Sequence, residues 1–96
     1  MAYSLAITLK CQDGEADTFR RVLAEITPPS RAEAGSVAFV THASLEEDNV
    51  FLVYESYVDQ GAYETHLTTP AFARVEAELF PLVVERDVRI YESLDR

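Results

Sequence analysis

The sequence predicts an α+β fold, a four-stranded antiparallel sheet with its helices packed on one face. Three observations predict it. Period-two alternation runs through residues 3–10, 36–43 and 50–57, and a fourth β-prone run lies at 88–91. Segments with helical periodicity separate the first run from the second and the third from the fourth. Only a short polar turn separates the second from the third, as in a hairpin.

Tyr3, Leu5, Ile7 and Leu9 alternate with Ser4, Ala6, Thr8 and Lys10, so the first strand has one apolar face. Asp13-Gly14 marks a turn, and Asp13 is expected to cap the helix after it. In that helix Ala16, Phe19, Leu23 and Ile26 form the apolar stripe, with Arg20, Arg21 and Glu25 between them. Pro28-Pro29 is expected to end or kink it, because proline has no amide hydrogen and crowds the preceding turn. Ser30-Arg31-Ala32-Glu33 has capping-box spacing, which allows a short turn to restart before Gly35.

Ser36 to Ala43 reads as the second strand, with Val37 and Phe39 on one face and Ala38 and Val40 on the other. Cys11 falls just after the first strand, as an inert small residue. Leu45 to Asn49 is a polar turn, and Val50 to Tyr57 is the most β-prone run of the chain. Asp59 opens a helix reaching about Leu67. Thr69 caps the next, with Pro70 at its first position, where the missing amide hydrogen costs nothing. Phe72, Val75, Leu79 and Phe80 form its buried stripe, and Pro81 stops it. Val88 to Tyr91 is the last strand, with Val83-Val84 extending it or leading into it. The order β-α-β-β-α-β is that of the ferredoxin-like plait. Its second sheet face, carrying Val50, Leu52 and Tyr54, is too apolar to leave in water, which predicts a homodimer.

Ninety-six residues predict one domain, residues 1–96. The formal charge of −9, from 17 acids and 8 bases spread along the chain, argues against a nucleic-acid partner and an anionic membrane surface. One cysteine allows no intrachain disulfide, and the start shows neither a basic nor an apolar leader region, so a cytoplasmic location is expected. The sequence has no glycine-rich nucleotide loop, no paired-cysteine spacing and no His-Glu-x-x-His, so no cofactor or metal is expected.

Three stretches together carry a resemblance: SRAEAGS at 30–36, FLVYESYVDQGAYETH at 51–66 and TTPAF at 68–72. In this order and spacing they resemble the antibiotic-biosynthesis-monooxygenase family of small dimeric α/β-barrel proteins. The family pattern has Glu-Pro-Gly where this chain has Glu33-Ala34-Gly35, an aromatic, often tryptophan, at Tyr57, and often a second histidine at Ala71. The resemblance implies oxidation of a small electron-rich aromatic, such as a quinol or anthrone, by molecular oxygen without a cofactor. Other members isomerise a small phosphorylated signal molecule, degrade haem, or have no established reaction. An isomerase of a small carbonyl or enediol compound and a non-catalytic small-molecule-binding protein are therefore the alternatives.

Side chains alternate along the third strand, so Glu55 and Tyr57 look toward the helices. His66, on the following helix, can reach over the same space, with Tyr63, Phe72 and Phe39 as walls. His66 and Glu55 are the candidate catalytic residues, His66 as the base. Tyr57, Phe72, Tyr63, Phe39 and Arg31 are the candidate substrate contacts, with Tyr57 or Arg31 as donor to an anion. Each has a plainer reading. His66 can be a solvated helix-end residue, and Glu55 can be structural, bonded to Ser30, Arg31 or amides near Gly35. Arg31 and Glu33 can form a cap and a surface pair, and the aromatics can be core. His42 reads as a strand-surface residue, too far in sequence from His66 for a recognisable metal spacing.

Overall fold

The computed structural model describes residues 1–95. The chain runs β1 (Tyr3–Cys11), α1 (Ala16–Arg31), β2 (Ser36–Ala43), β3 (Val50–Tyr57), α2 (Gln60–His66), α3 (Pro70–Arg74) and β4 (Val83–Glu92). A π turn, Val75–Leu79, and a 3-10 turn, Phe80–Leu82, join α3 to β4. The sheet order is β2-β3-β1-β4 with every neighbouring pair antiparallel, the ferredoxin-like arrangement.

The core lies between the sheet and α1. Phe19, Val22, Leu23 and Ile26 of α1 bury themselves against Leu9, Phe51, Val53 and Phe39. Phe19 stacks on Phe51 with ring centroids 5.3 Å apart. Each such side chain contributes about 1.5–3 kcal/mol by leaving water. Residues opposed across the strands share a face. Phe39, Glu55, Leu5 and Ile90 therefore form one row on the helix side. The helices cover β2, β3 and β1 but leave the same face of β4 open, so Val88 and Ile90 stay 41% and 57% exposed. On the opposite face Val40, Leu52, Tyr54 and Tyr91 are all exposed.

Several expectations change. Pro28 and Pro29 do not break α1, which runs on to Arg31. Both prolines and Ala24 and Glu25, one turn earlier, lie on the exposed side, where water solvates the carbonyls that lose their donors. No capping box forms, because Ser30 and Glu33 belong to the end of α1 and the turn after it. Asp13 does not cap α1. Its Oδ1 accepts a 2.6 Å bond from Asn49 Nδ2, and the helix starts at Glu15 with no side-chain cap. Gly14 has φ +85°, a conformation that favours glycine in this turn. Cys11 is the last residue of β1, not a residue beyond it. Val37 falls at a register shift between Ser36 and Ala38 and is 41% exposed, while Phe39 is buried.

The expected caps of the later helices form. Asp59 accepts from Ala62 N at 2.8 Å, and Thr69 accepts from Phe72 N at 3.2 Å. The helix beyond Pro70 is shorter than its stripe promised. The π turn re-phases its side chains, burying Leu79 completely while Val75 faces the interior beside α1. Pro81 lies in the 3-10 turn, and β4 begins two residues later. None of the described helices is long and apolar enough to cross a membrane.

Candidate active site

Two local devices place His66. The first is Gly35, in the turn entering β2. Any Cβ there would collide with the Ala62 side chain, so only glycine lets α2 lie this close. The second is Thr69. Its hydroxyl donates to the His66 carbonyl at 2.7 Å and accepts from Phe72 N, tying the end of α2 to the start of α3. His66 is the last residue of α2, yet it is only 4% exposed. The solvated helix-end reading does not describe it.

The imidazole packs among three rings, with centroids 5.8 Å from Phe39, 5.5 Å from Tyr57 and 5.6 Å from Phe72. Its Nδ1 lies 3.0 Å and 2.9 Å from the two carboxylate oxygens of Glu33. A carboxylate only accepts, so Nδ1 carries a hydrogen, and in the neutral ring Nε2 then holds the lone pair. Glu33, read from the sequence as a cap or surface residue, is instead the partner that orients this ring. Its position in the SRAEAGS stretch, two residues before Gly35, is the available signal.

Glu55 is 5% exposed, and Tyr57 donates to its Oε1 at 2.8 Å. That bond replaces the expected partners Ser30, Arg31 and the Gly35 amides. Burial pushes the Glu55 carboxyl above the usual carboxylate range, and the Tyr57 hydrogen bond and His66 pull the other way without prevailing. The Tyr57 hydroxyl is likewise held well above its usual range, first by burial and then by the Glu55 charge and hydrogen bond. Burial raises Tyr63 as well, with Glu55 as the next cause.

A cavity of about 220 Å³ lies between sheet and helices. His66, Glu55, Phe39, Tyr63 and Phe72 all line it, so five of the seven sequence candidates meet there. Tyr57 does not line it and is joined to it only through its hydrogen bond to Glu55. Arg31 does not reach it either. That side chain is exposed and donates from Nε to the Phe39 carbonyl at 2.8 Å. Two polar lining residues are not among the sequence candidates for ligand contact. Ser30 reads from the sequence as a cap or a partner of Glu55, and Arg86 sits at the β4 side with its guanidinium 5.8 Å from the Phe80 ring centroid. Leu23, Ile26, Val53, Val75 and Val88 make the remaining wall mostly apolar.

No group of three or more His, Cys, Asp or Glu side chains that could hold a metal ion exists among the described residues. His42 is exposed on β2, with Nδ1 3.2 Å from the Leu52 carbonyl. The arrangement can take a proton at Nε2, hold the resulting imidazolium against Glu33, and offer a carboxyl to an oxygen nearby.

Residues 2–78 match the profile of the family described as antibiotic biosynthesis monooxygenase. The chain belongs to that family. The match ends before β4, so Arg86 lies outside it. Among solved structures, PA3566 from Pseudomonas aeruginosa is 27% identical with a TM-score of 0.90, covering 97% of this chain and 94% of that one. SO0527 from Shewanella oneidensis, 22% identical, has a TM-score of 0.88 over 96% of this chain and 90% of that one, a likeness of fold. An uncharacterised protein of Synechocystis, sll1783, is 27% identical over 89 residues, 92% of this chain. The chain spans 60% of that relative's length.

Proposed function

We propose that this antibiotic-biosynthesis-monooxygenase family member is a cofactor-independent oxygenase of a small quinol- or anthrone-like aromatic. One observation carries the reading: a buried histidine whose Nδ1 is committed to Glu33, in an apolar cavity beside a carboxyl that burial holds toward its neutral form. An engineered cavity of about 150 Å³ takes a benzene. A volume of 220 Å³ therefore has room for a larger ring system.

In this reading His66 Nε2 removes a phenolic proton, and the Glu33 carboxylate stabilises the imidazolium. In its protonated form, which burial favours, the Glu55 carboxyl donates to the phenolate oxygen, supported from behind by Tyr57. The electron-rich ring carbon then bonds to molecular oxygen, and the proton held on His66 passes to the distal oxygen, giving a ring hydroperoxide. Loss of the ring proton breaks the O–O bond and releases water, leaving a new carbonyl on the ring. For 1,4-dihydroxynaphthalene the sum is quinol plus O2 to hydroxynaphthoquinone plus water. The substrate supplies all four electrons, so no external reductant enters.

The same reading has a second copy covering the sheet face that exposes Val40, Leu52 and Tyr54, and a cytoplasmic location in keeping with a lone buried cysteine, Cys11. Oxygen uptake with 1,4-dihydroxynaphthalene and with anthrone tests the reaction. The expected result is enzyme-dependent uptake with one labelled oxygen atom in the product under 18O2, lost in His66→Ala. Equal rates for wild type and His66→Ala, or turnover that persists without oxygen, would refute it.

A further inference from the structure

We propose that Ser30 is a recognition residue of the cavity, its hydroxyl bonding a ligand oxygen other than the one that meets His66. The site then selects aromatics carrying two ring oxygens over those carrying one. This inference rests on the cavity being the ligand site and adds the class of ligand it takes.

Ser30 is 1% exposed and lines the cavity near the end of α1. Its Oγ has no hydrogen-bond partner among the described residues and lies just beneath the cavity surface, closed to water, so a turn about χ1 is what brings it to a ligand oxygen. A buried hydroxyl left without a partner is uncommon, because it has given up its bonds to water for nothing. One turn earlier on the same helix, Thr27 shows the ordinary solution: its hydroxyl donates to the Leu23 carbonyl at 2.6 Å. Ser30 makes no matching bond to the Ile26 carbonyl. Alanine would pack as well there and suits a helix better, so packing does not account for serine at this position.

The surroundings say what would satisfy it. Leu23 and Ile26 share its stretch of wall and have no polar side-chain atom to offer. His66 enters from α2 and Ser30 from α1, so the two polar groups reach the cavity from different elements. A hydroxyl both donates and accepts, so it serves a quinone carbonyl and a phenol equally well. A site built to bond a ligand oxygen disfavours the analogue lacking it, whose binding leaves the hydroxyl unpaired.

The test is calorimetric titration, with air excluded, of 1-naphthol and 1,5-dihydroxynaphthalene, which differ by one ring hydroxyl. Wild type is expected to bind the diol about ten-fold more tightly or better. Ser30→Ala should reduce that preference to about two-fold while leaving 1-naphthol affinity unchanged, and His66→Ala should weaken both probes alike. Unliganded Ser30→Ala should melt at the same temperature as wild type or higher, because it loses an unsatisfied group. A preference that survives in Ser30→Ala overturns the inference. So does no preference in wild type, no binding of either probe, or a clear drop in the melting temperature of the unliganded variant. Oxygen uptake separates this from the oxygenase reading. Ser30-dependent binding without turnover sinks the reaction alone, and quinol turnover indifferent to Ser30→Ala sinks Ser30 alone.

Discussion

Replacing Glu33 by glutamine tests the heart of the site with almost no change of shape. The two oxygens of Glu33 lie 3.0 Å and 2.9 Å from His66 Nδ1, but that nitrogen carries a single hydrogen. The contacts amount to one shared, charge-assisted bond, in a place where the His66 and Glu33 side chains are only 5% and 18% exposed. Such a bond is worth about 1.5–3 kcal/mol. Glutamine keeps a partner for Nδ1 but can present its amide hydrogens to an Nδ1 lone pair. That tautomer places the hydrogen on Nε2 and removes the base. It also removes the negative charge that steadies the imidazolium. The expected fall in kcat is at least about 10–100-fold, the size seen when the carboxylate orienting a metal-bound histidine is changed. Saturating initial rates of oxygen uptake measure it, and 15N NMR of the imidazole reads the tautomer independently of turnover. Glu33→Ala, which leaves Nδ1 with no partner, should lower Tm by about 5–20 °C, from a loss of about 1–3 kcal/mol. A Glu33→Gln protein with kcat within about two-fold of wild type and Nδ1 still protonated would refute the reasoning.

Other outcomes follow from the same geometry. Burial raises the Glu55 pKa above its ordinary 4.5, so the folded protein binds this proton more tightly than the unfolded chain does. That contribution to stability is full below the ordinary value and is lost as pH rises through the raised value. Glu55→Gln should flatten the decline of Tm across that window, and an unchanged slope would count against the assignment. Gly35→Ala sets a methyl group against the Ala62 side chain, forcing α2 outward and His66 away from Glu33. It should cost about 1–3 kcal/mol in denaturant titration and lower activity with it, and a stable, fully active variant would show that α2 need not lie so close. Leu52→Glu with Tyr54→Glu charges the open sheet face, so if the proposed pairing holds, light scattering should give the wild type twice the mass of the double variant. An unchanged mass for the double variant would remove that face from the interface.

Much of the scaffold was legible because its signals are local. The alternation of Tyr3 to Lys10 and of Val50 to Tyr57 placed β1 and β3, and the caps at Asp59 and Thr69 placed the starts of α2 and α3. Pro28-Pro29 misled because the penalty for proline in a helix depends on which face its orphaned carbonyls occupy, and only tertiary packing says that. The π turn at Val75–Leu79 was invisible for a related reason. It shifts the phase of the stripe by packing, without a residue type that announces it.

The chain alone determined a β-α-β-β-α-β order, an apolar interior and a histidine near a proline-started helix, since these follow from periodicity and capping between near neighbours. The folded structure decided what that histidine touches. Glu33 and His66 stand 33 residues apart, and nothing local links them. They meet because antiparallel pairing brings the entrance of β2 beside the exit of β3, and because Gly35 lets α2 settle against that corner. Ser30, Glu55 and Arg86 likewise share one cavity only after three separate elements have packed. Local rules set which way a side chain leaves its own helix or strand; the assembly of the sheet and helices sets what waits there.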